Sequence, residues 1–218
     1  MQSRHRFGLA AGLVLLGAVA SALAAPDLPE RVVTHWNGAG TPDGYADRWV
    51  ALVGLPAVSA GVLAMLAVVP RIDPLGENID AFRPTYDWFA VALTAFLTAM
   101  HGGVLAYNLG YEFEFLRLVA LGVAVLYFFV GRVVKRAERN WFVGVRTPWT
   151  LSSDEVWDRT HAHAAKLFVG AAVLALIGAA MGQAIVYFIA VPAAAIAAIT
   201  TLYSYYAYRQ VETDAVGG

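Results

Sequence analysis

Apolar residues along this chain run in long blocks rather than alternating with polar ones, and six blocks are almost free of Asp, Glu, Lys and Arg. They cover residues 8–25, 50–70, 88–107, 115–134, 165–181 and 185–208. At a rise of about 1.5 Å per residue, roughly 20 apolar residues in a helix cross the hydrocarbon core of a bilayer. Backbone in hydrocarbon must satisfy its own hydrogen bonds, so blocks of this length predict helices. The pattern predicts an all-α integral membrane protein, a bundle of about six transmembrane helices with two structured loops.

The connections differ in character. Gly182-Gln183 predicts a tight turn and makes the last two spans antiparallel neighbours, and residues 108–114 form another short link. The segments 26–49 and 132–164 are longer and richer in polar and aromatic residues. We divide the chain into a two-span part, 1–70, carrying the loop 26–49, and a four-span part, 71–218, carrying the motif loop 132–164. Pro56 and Pro192 lie inside spans and are predicted to kink them. Gly8/Gly12 and Gly178/Gly182 have the spacing that lets helices approach closely, although small residues are common in membrane helices in any case. The first block follows Arg4 and Arg6 and ends Ser-Ala-Leu-Ala-Ala, so a cleavable leader stays open beside a retained helix. Either way the loop 26–49 lies on the same side.

Charge orients the bundle. With the N-terminus in the cytoplasm, the inner segments hold Arg4, Arg6, Arg71, Arg83, Arg132, Lys135, Arg136, Arg139, Arg146, Arg159, Lys166 and Arg209, against Arg31, Arg48 and Arg117 outside. That split of 12 to 3 predicts a multi-pass protein of the cell membrane with its N-terminus inside. All six Trp residues fall in loops or at span ends, where indole rings prefer the interface. Composition agrees: 59% of residues are hydrophobic and 14% charged, where a soluble domain carries about 25%. The net charge of −1, without a basic block, gives no sign of direct nucleic-acid binding. Cys is absent, which excludes disulfides and thiolate chemistry.

No Asp, Glu, Lys or Arg lies near the middle of a span, which argues against a transporter built on a midplane carboxylate. Away from the span ends, His101 is the one side chain within a span that ionises near neutral pH. It serves proton exchange or peptide contact, or else it is a neutral His hydrogen-bonded between helices beside a close contact at Gly102-Gly103.

In the outer loop, 32–34 predicts a short extended run, and Asn37-Gly38 and Pro42-Asp43-Gly44 predict turns. His35, Asn37 and Asp43 are candidates for a metal or polar ligand, or else hold the turns. In the inner loop, alternation over 141–145 predicts an extended segment on the membrane surface, and Thr147-Pro148 an extended or turn conformation. Ser152 and Glu155 have capping-box spacing, predicting a helix that runs through Trp157 and His161 into the fifth span. Asp154, Asp158 and His161 share a face of that helix; an Asp158–His161 metal site is the weaker alternative to a solvated face. Arg146 is placed to bind a carboxylate or a lipid phosphate. The seven basic groups of this loop region also suit anionic headgroups. Phosphate-loop, dinucleotide, zinc-protease and serine-hydrolase motifs are absent, and no cofactor is expected.

The two loops carry a resemblance. Pro29, His35-Trp36-Asn37, Gly40 and Pro42-Asp43-Gly44-Tyr45, just after an apolar span, resemble a widespread prokaryotic membrane domain of unassigned biochemistry. Asn140-Trp141-Phe142-Val143-Gly144-Val145-Arg146-Thr147-Pro148-Trp149-Thr150-Leu151, followed by Trp157 and Thr160-His161, resemble the signature of the SdpI family, where both regions occur in this order. The resemblance covers nearly the whole chain. It implies a membrane protein giving immunity to a secreted peptide toxin that collapses the membrane potential, with signalling that draws a cytoplasmic repressor to the membrane. It supplies no catalytic residues; the matched positions are expected to serve structure or recognition. A signalling protein without direct protection, and a metal-dependent membrane enzyme or transporter, are the alternatives. The implied partners are the lipid bilayer, a peptide toxin outside and a repressor inside.

Overall fold

Each apolar block folds as a helix, and most of these helices outrun their blocks. The computed structural model describes residues 2–217, and the side chains of 2–214. Among them six helices are long and apolar enough to cross a membrane. These are α1 Ser3–Ala24, α2 Arg48–Ile72, α4 Arg83–Asn108, α5 Phe115–Arg136, α7 Asp154–Met181 and α8 Ile185–Gly217. Two short helices, α3 Gly76–Ala81 and α6 Pro148–Ser152, lie in the connections, and strands β1 Arg31–Trp36 and β2 Pro42–Asp47 form a hairpin. The extra turns carry charged residues at the ends of helices, where long side chains reach the headgroup layer while the backbone stays helical. Both α2 and α8 continue through their interior prolines.

The helices pack as two groups of three. Helices α1, α2 and α4 touch one another, α7 packs between α5 and α8, and α4 against α5 joins the groups. Small residues set the second group. Ala164, Ala165, Ala171, Ala172, Ala175, Gly178 and Ala179 make up the buried stripe of α7. A Cβ at Gly131 of α5 would crowd the Ala165 carbonyl, and one at Gly178 would overlap Phe188. Close approach of this kind is how helices associate in lipid, where burying apolar surface gives no net drive. Leu15, Val53, Leu174, Tyr187 and Leu202 are exposed on the outside of the bundle and would meet acyl chains. The Gly8/Gly12 pair does not act this way, since nothing lies within 4 Å of a Cβ built at either.

This up-and-down packing puts the β1–β2 hairpin at one end of the bundle and the motif loop at the other. A core of Leu28, Val32, Trp36, Leu52 and Leu105 closes the hairpin end. A second, with Leu66, Ile79, Phe82, Tyr86, Val133 and Trp157, closes the motif-loop end.

Three local expectations change. Pro42-Asp43-Gly44 is not a turn but the start of β2, bulged against β1, and the chain reverses at 37–41. Residues 141–144 are bends rather than an extended strand, because the Asn140 side chain gathers their backbone. The α7 cap is Ser153, whose Oγ accepts from the Val156 N–H, and the capping box sits at Thr147 and Thr150 of α6. Ser152 instead donates to the Trp149 carbonyl.

Candidate functional site

At the motif-loop end the matched residues form one polar network. Asn140 is fully buried and all its amide valences are used. Its Nδ2 donates to the carbonyls of Glu138 and Val143 at 2.8 and 3.0 Å. Its Oδ1 accepts from the N–H groups of Phe142 and Val143 at 2.9 and 2.6 Å. Gly144 follows with φ +120°, and a Cβ there would collide with the His161 ring. That close approach lets the Val145 N–H donate to His161 Nε2 at 2.9 Å. An acceptor at Nε2 leaves the proton on Nδ1, which donates to the Trp157 carbonyl at 2.8 Å. The imidazole stacks on the Trp157 indole at 3.9 Å, and the indole N–H donates to the Ala137 carbonyl. His161 is thus committed to holding the loop, and Asp158 lies exposed beside it with no bond to it. Thr160, one residue before, is buried with its hydroxyl unpartnered.

The rest of the motif extends the frame. Pro148 starts α6, where its missing N–H costs nothing. Thr150 Oγ1 donates to the Val145 carbonyl at 2.7 Å, and Thr147 Oγ1 donates to Ser204 on α8 at 3.1 Å. Trp149 packs on Tyr205. Exposed Arg146 donates to the Trp141 carbonyl at 2.5 Å. Three contributors come from outside the motif. Asp73 accepts from the Trp141 N–H, Asn78 donates to the Arg139 carbonyl, and Arg139 pairs with Asp154. Asp73 and Asn78 signal in the sequence only as polar residues between spans, and Arg139 only as one basic group of the inner loop.

The hairpin end is built differently. Asn37 Oδ1 accepts from the N–H groups of Ala39 and Thr41, and Gly40 at φ +80° completes the reversal. His35 Nδ1 and Asp43 Oδ1 lie 2.5 Å apart across the strands, with side chains 71% and 44% exposed. Gly44 opposes His35 so closely that a Cβ would fall 2.6 Å from that of His35. Tyr45 points outward, exposed. Among the described residues no group of three or more His, Asp or Glu side chains gathers around a common point.

The hairpin is seated by residues outside its motif. Asn108, at the end of α4, accepts from the Val33 N–H at 2.7 Å and donates to the Val33 carbonyl at 2.9 Å. Trp36 stacks on Phe115 at 3.8 Å and meets Tyr107 edge-on. Beside it opens a cleft of about 440 Å³ whose walls include Trp36, Gly40, Glu114, Phe115 and Gln183. The Trp36 indole N–H is buried and has no hydrogen-bond partner among the described residues.

His101 lies between the two ends. Ser21 Oγ donates to the Leu52 carbonyl at 2.6 Å, so its lone pair accepts from His101 Nε2 at 2.8 Å. Helices α4, α1 and α2 are tied at this node. Gly103, not Gly102, makes the close contact, with Leu118 and Phe115 against it. Near the motif-loop end, Asp87 is fully buried and accepts from Arg83 at 2.9 Å and from Arg6 at 3.4 Å.

Comparison with known proteins agrees with the family read from the loops. Residues 136–204 match the SdpI/YfhL protein family, and residues 12–60 match a domain of unknown function, DUF1648. The chain is 26% identical over 206 residues to "Immunity protein SdpI" of Bacillus subtilis (strain 168), covering 91% of this chain and 94% of that protein. No solved structure matches. The chain is therefore a multi-pass membrane protein that is similar, over 91% of its length, to an immunity protein.

Proposed function

We propose that this SdpI-related chain protects its cell from a secreted, membrane-active peptide toxin, and that the toxin is met at the hairpin end. The observation that carries the reading is the cleft beside the hairpin, walled in part by Trp36, whose buried indole N–H has no partner among the described residues. A peptide carbonyl would supply the missing acceptor once the cleft wall shifts to uncover this N–H, and a buried unmatched donor costs about 1–3 kcal/mol until it is met. Aromatic walls at Trp36 and Phe115 suit apolar peptide side chains. The 12-to-3 split of basic residues supports a cytoplasmic N-terminus, which turns this cleft outward and the motif loop inward. We read α1 as a retained member of the bundle, since it supplies Ser21 to His101 and Arg6 to Asp87.

The role is one of binding, not catalysis. Polar side chains divide between the two ends instead of converging on one point, and His161 is spent on backbone. A repressor drawn to the membrane would meet the exposed face of the motif loop, where Trp141, Phe142 and Arg146 stand out from the frame.

The test is survival. Sensitive cells expressing the protein are challenged with a panel of secreted membrane-active peptides, beside cells expressing Trp36→Phe. We expect protection against at least one peptide, weakened by Trp36→Phe at equal membrane abundance. Unchanged killing across the panel, with the protein confirmed in the membrane, contradicts the reading.

A further inference from the structure

A second cleft, of about 540 Å³, opens near the motif-loop end between α1, α4 and α5. Three guanidinium groups line it, from Arg6, Arg132 and Arg136, together with Trp88, Phe128 and Thr85. The proposed toxin contact makes no use of it.

The charges there are not balanced from within. Asp87 is the carboxylate behind this cleft, and it is shared between Arg83 and Arg6. Arg132 and Arg136 make no ion pair among the described residues; Arg136 donates to the Thr85 hydroxyl at 2.9 Å. Arg6 is about nine-tenths buried, and its Nε has no hydrogen-bond partner among the described residues. Two of the guanidiniums lie over aromatic rings, Arg6 at 5.8 Å from the Trp88 centroid and Arg132 at 5.9 Å from that of Phe128. Stacking holds the planar groups in place while leaving N–H edges free to donate.

We propose that this cleft binds the headgroup phosphate of an anionic phospholipid. Guanidinium forks match phosphate oxygens, and exposed Arg132 and Arg136, which pair with no carboxylate among the described residues, supply the accessible donors. The apolar part of the cleft selects a lipid over a free anion. Trp88, Phe128 and the neighbouring Phe129 extend along the helices from the charged rim, giving an acyl chain a wall to lie on. Basic pockets between membrane helices hold lipid headgroups by this combination.

Purified protein is equilibrated in mixed micelles with equal amounts of phosphatidylglycerol and phosphatidylcholine, and the lipid it retains is measured by native mass spectrometry. The wild type retains phosphatidylglycerol in preference. Arg132→Gln and Arg136→Gln each weaken that preference by about fivefold. Both side chains are exposed, so the variants keep the thermal midpoint of the wild type. Arg31→Gln, at the hairpin end, leaves the preference intact. Excess inorganic phosphate displaces little phosphatidylglycerol. Equal retention of both lipids by the wild type, or an unaltered preference in both cleft variants, overturns the proposal. Full displacement by phosphate overturns the lipid assignment in favour of a free anion. None of these outcomes bears on toxin protection, which Trp36→Phe reads separately.

Discussion

The backbone N–H of Val145 donates to Nε2 of His161 across 16 residues of chain, and the absence of a side chain at Gly144 is what allows the approach. His161→Ala removes the acceptor and the ring stacked on Trp157. The cost is about 2–4 kcal/mol from an unpaired buried donor and a cavity. Gly144→Ala puts a Cβ into the imidazole at a φ of +120° and costs about 1–3 kcal/mol in backbone strain alone. Thermal unfolding of the detergent-solubilised protein checks both, with lower midpoints expected. Wild-type midpoints for the pair would mean that the loop is not held by this bond.

Asp87 is a buried charge shared by two guanidinium groups. Asp87→Asn strips buried Arg6 of its carboxylate and leaves Arg83 only the exposed Asp80 at 3.2 Å, at a cost of about 3–5 kcal/mol. Arg6→Gln is milder, because Asp87 keeps Arg83 at 2.9 Å. The order of midpoints, wild type above Arg6→Gln above Asp87→Asn, is the expected result; the reverse order of the two variants would refute the shared-carboxylate arrangement.

The exposed pair at the hairpin behaves in the opposite way. His35→Ala changes stability by no more than about 1 kcal/mol, as the loss of an exposed polar contact does. Gly44→Val drives a branched side chain into His35 and opens the hairpin. Limited proteolysis separates them: cleavage within 31–47 rises for Gly44→Val and stays at the wild-type level for His35→Ala.

Much of this was legible in the sequence, and the limits have physical causes. Helix positions followed from block length alone, since a bilayer admits few other structures. The motif loop could be singled out because Pro, Gly and capping residues mark local backbone. Its hydrogen bonds could not: Val145 and His161, or Asn108 and Val33, are joined by packing at separations with no helical or strand period. Asp87 stands just before the apolar block 88–107 and outside either motif, yet the helix starts at Arg83 and folds it inward. The short run 32–34 was visible as extended. Its partner strand was hidden, because Pro42, Asp43 and Gly44 favour turns until a bulged register against β1 overrides them.

Sidedness has a direct test, since the chain contains no cysteine. Tyr45→Cys and Arg146→Cys give single thiols at exposed sites on opposite ends of the bundle. In intact cells a membrane-impermeant maleimide labels Tyr45→Cys and reaches Arg146→Cys only after permeabilisation. The opposite pattern would invert the topology and remove the hairpin from contact with a secreted peptide.

The most direct measurement is the membrane potential itself. Sensitive cells with and without the protein are loaded with a potential-reporting dye and exposed to a depolarising peptide toxin that the survival panel identifies. Cells making the wild-type protein hold their potential while control cells lose it, and cells making Trp36→Phe fall between. Depolarisation of wild-type-expressing cells at the rate of the controls, with the protein present in the membrane, would contradict the account.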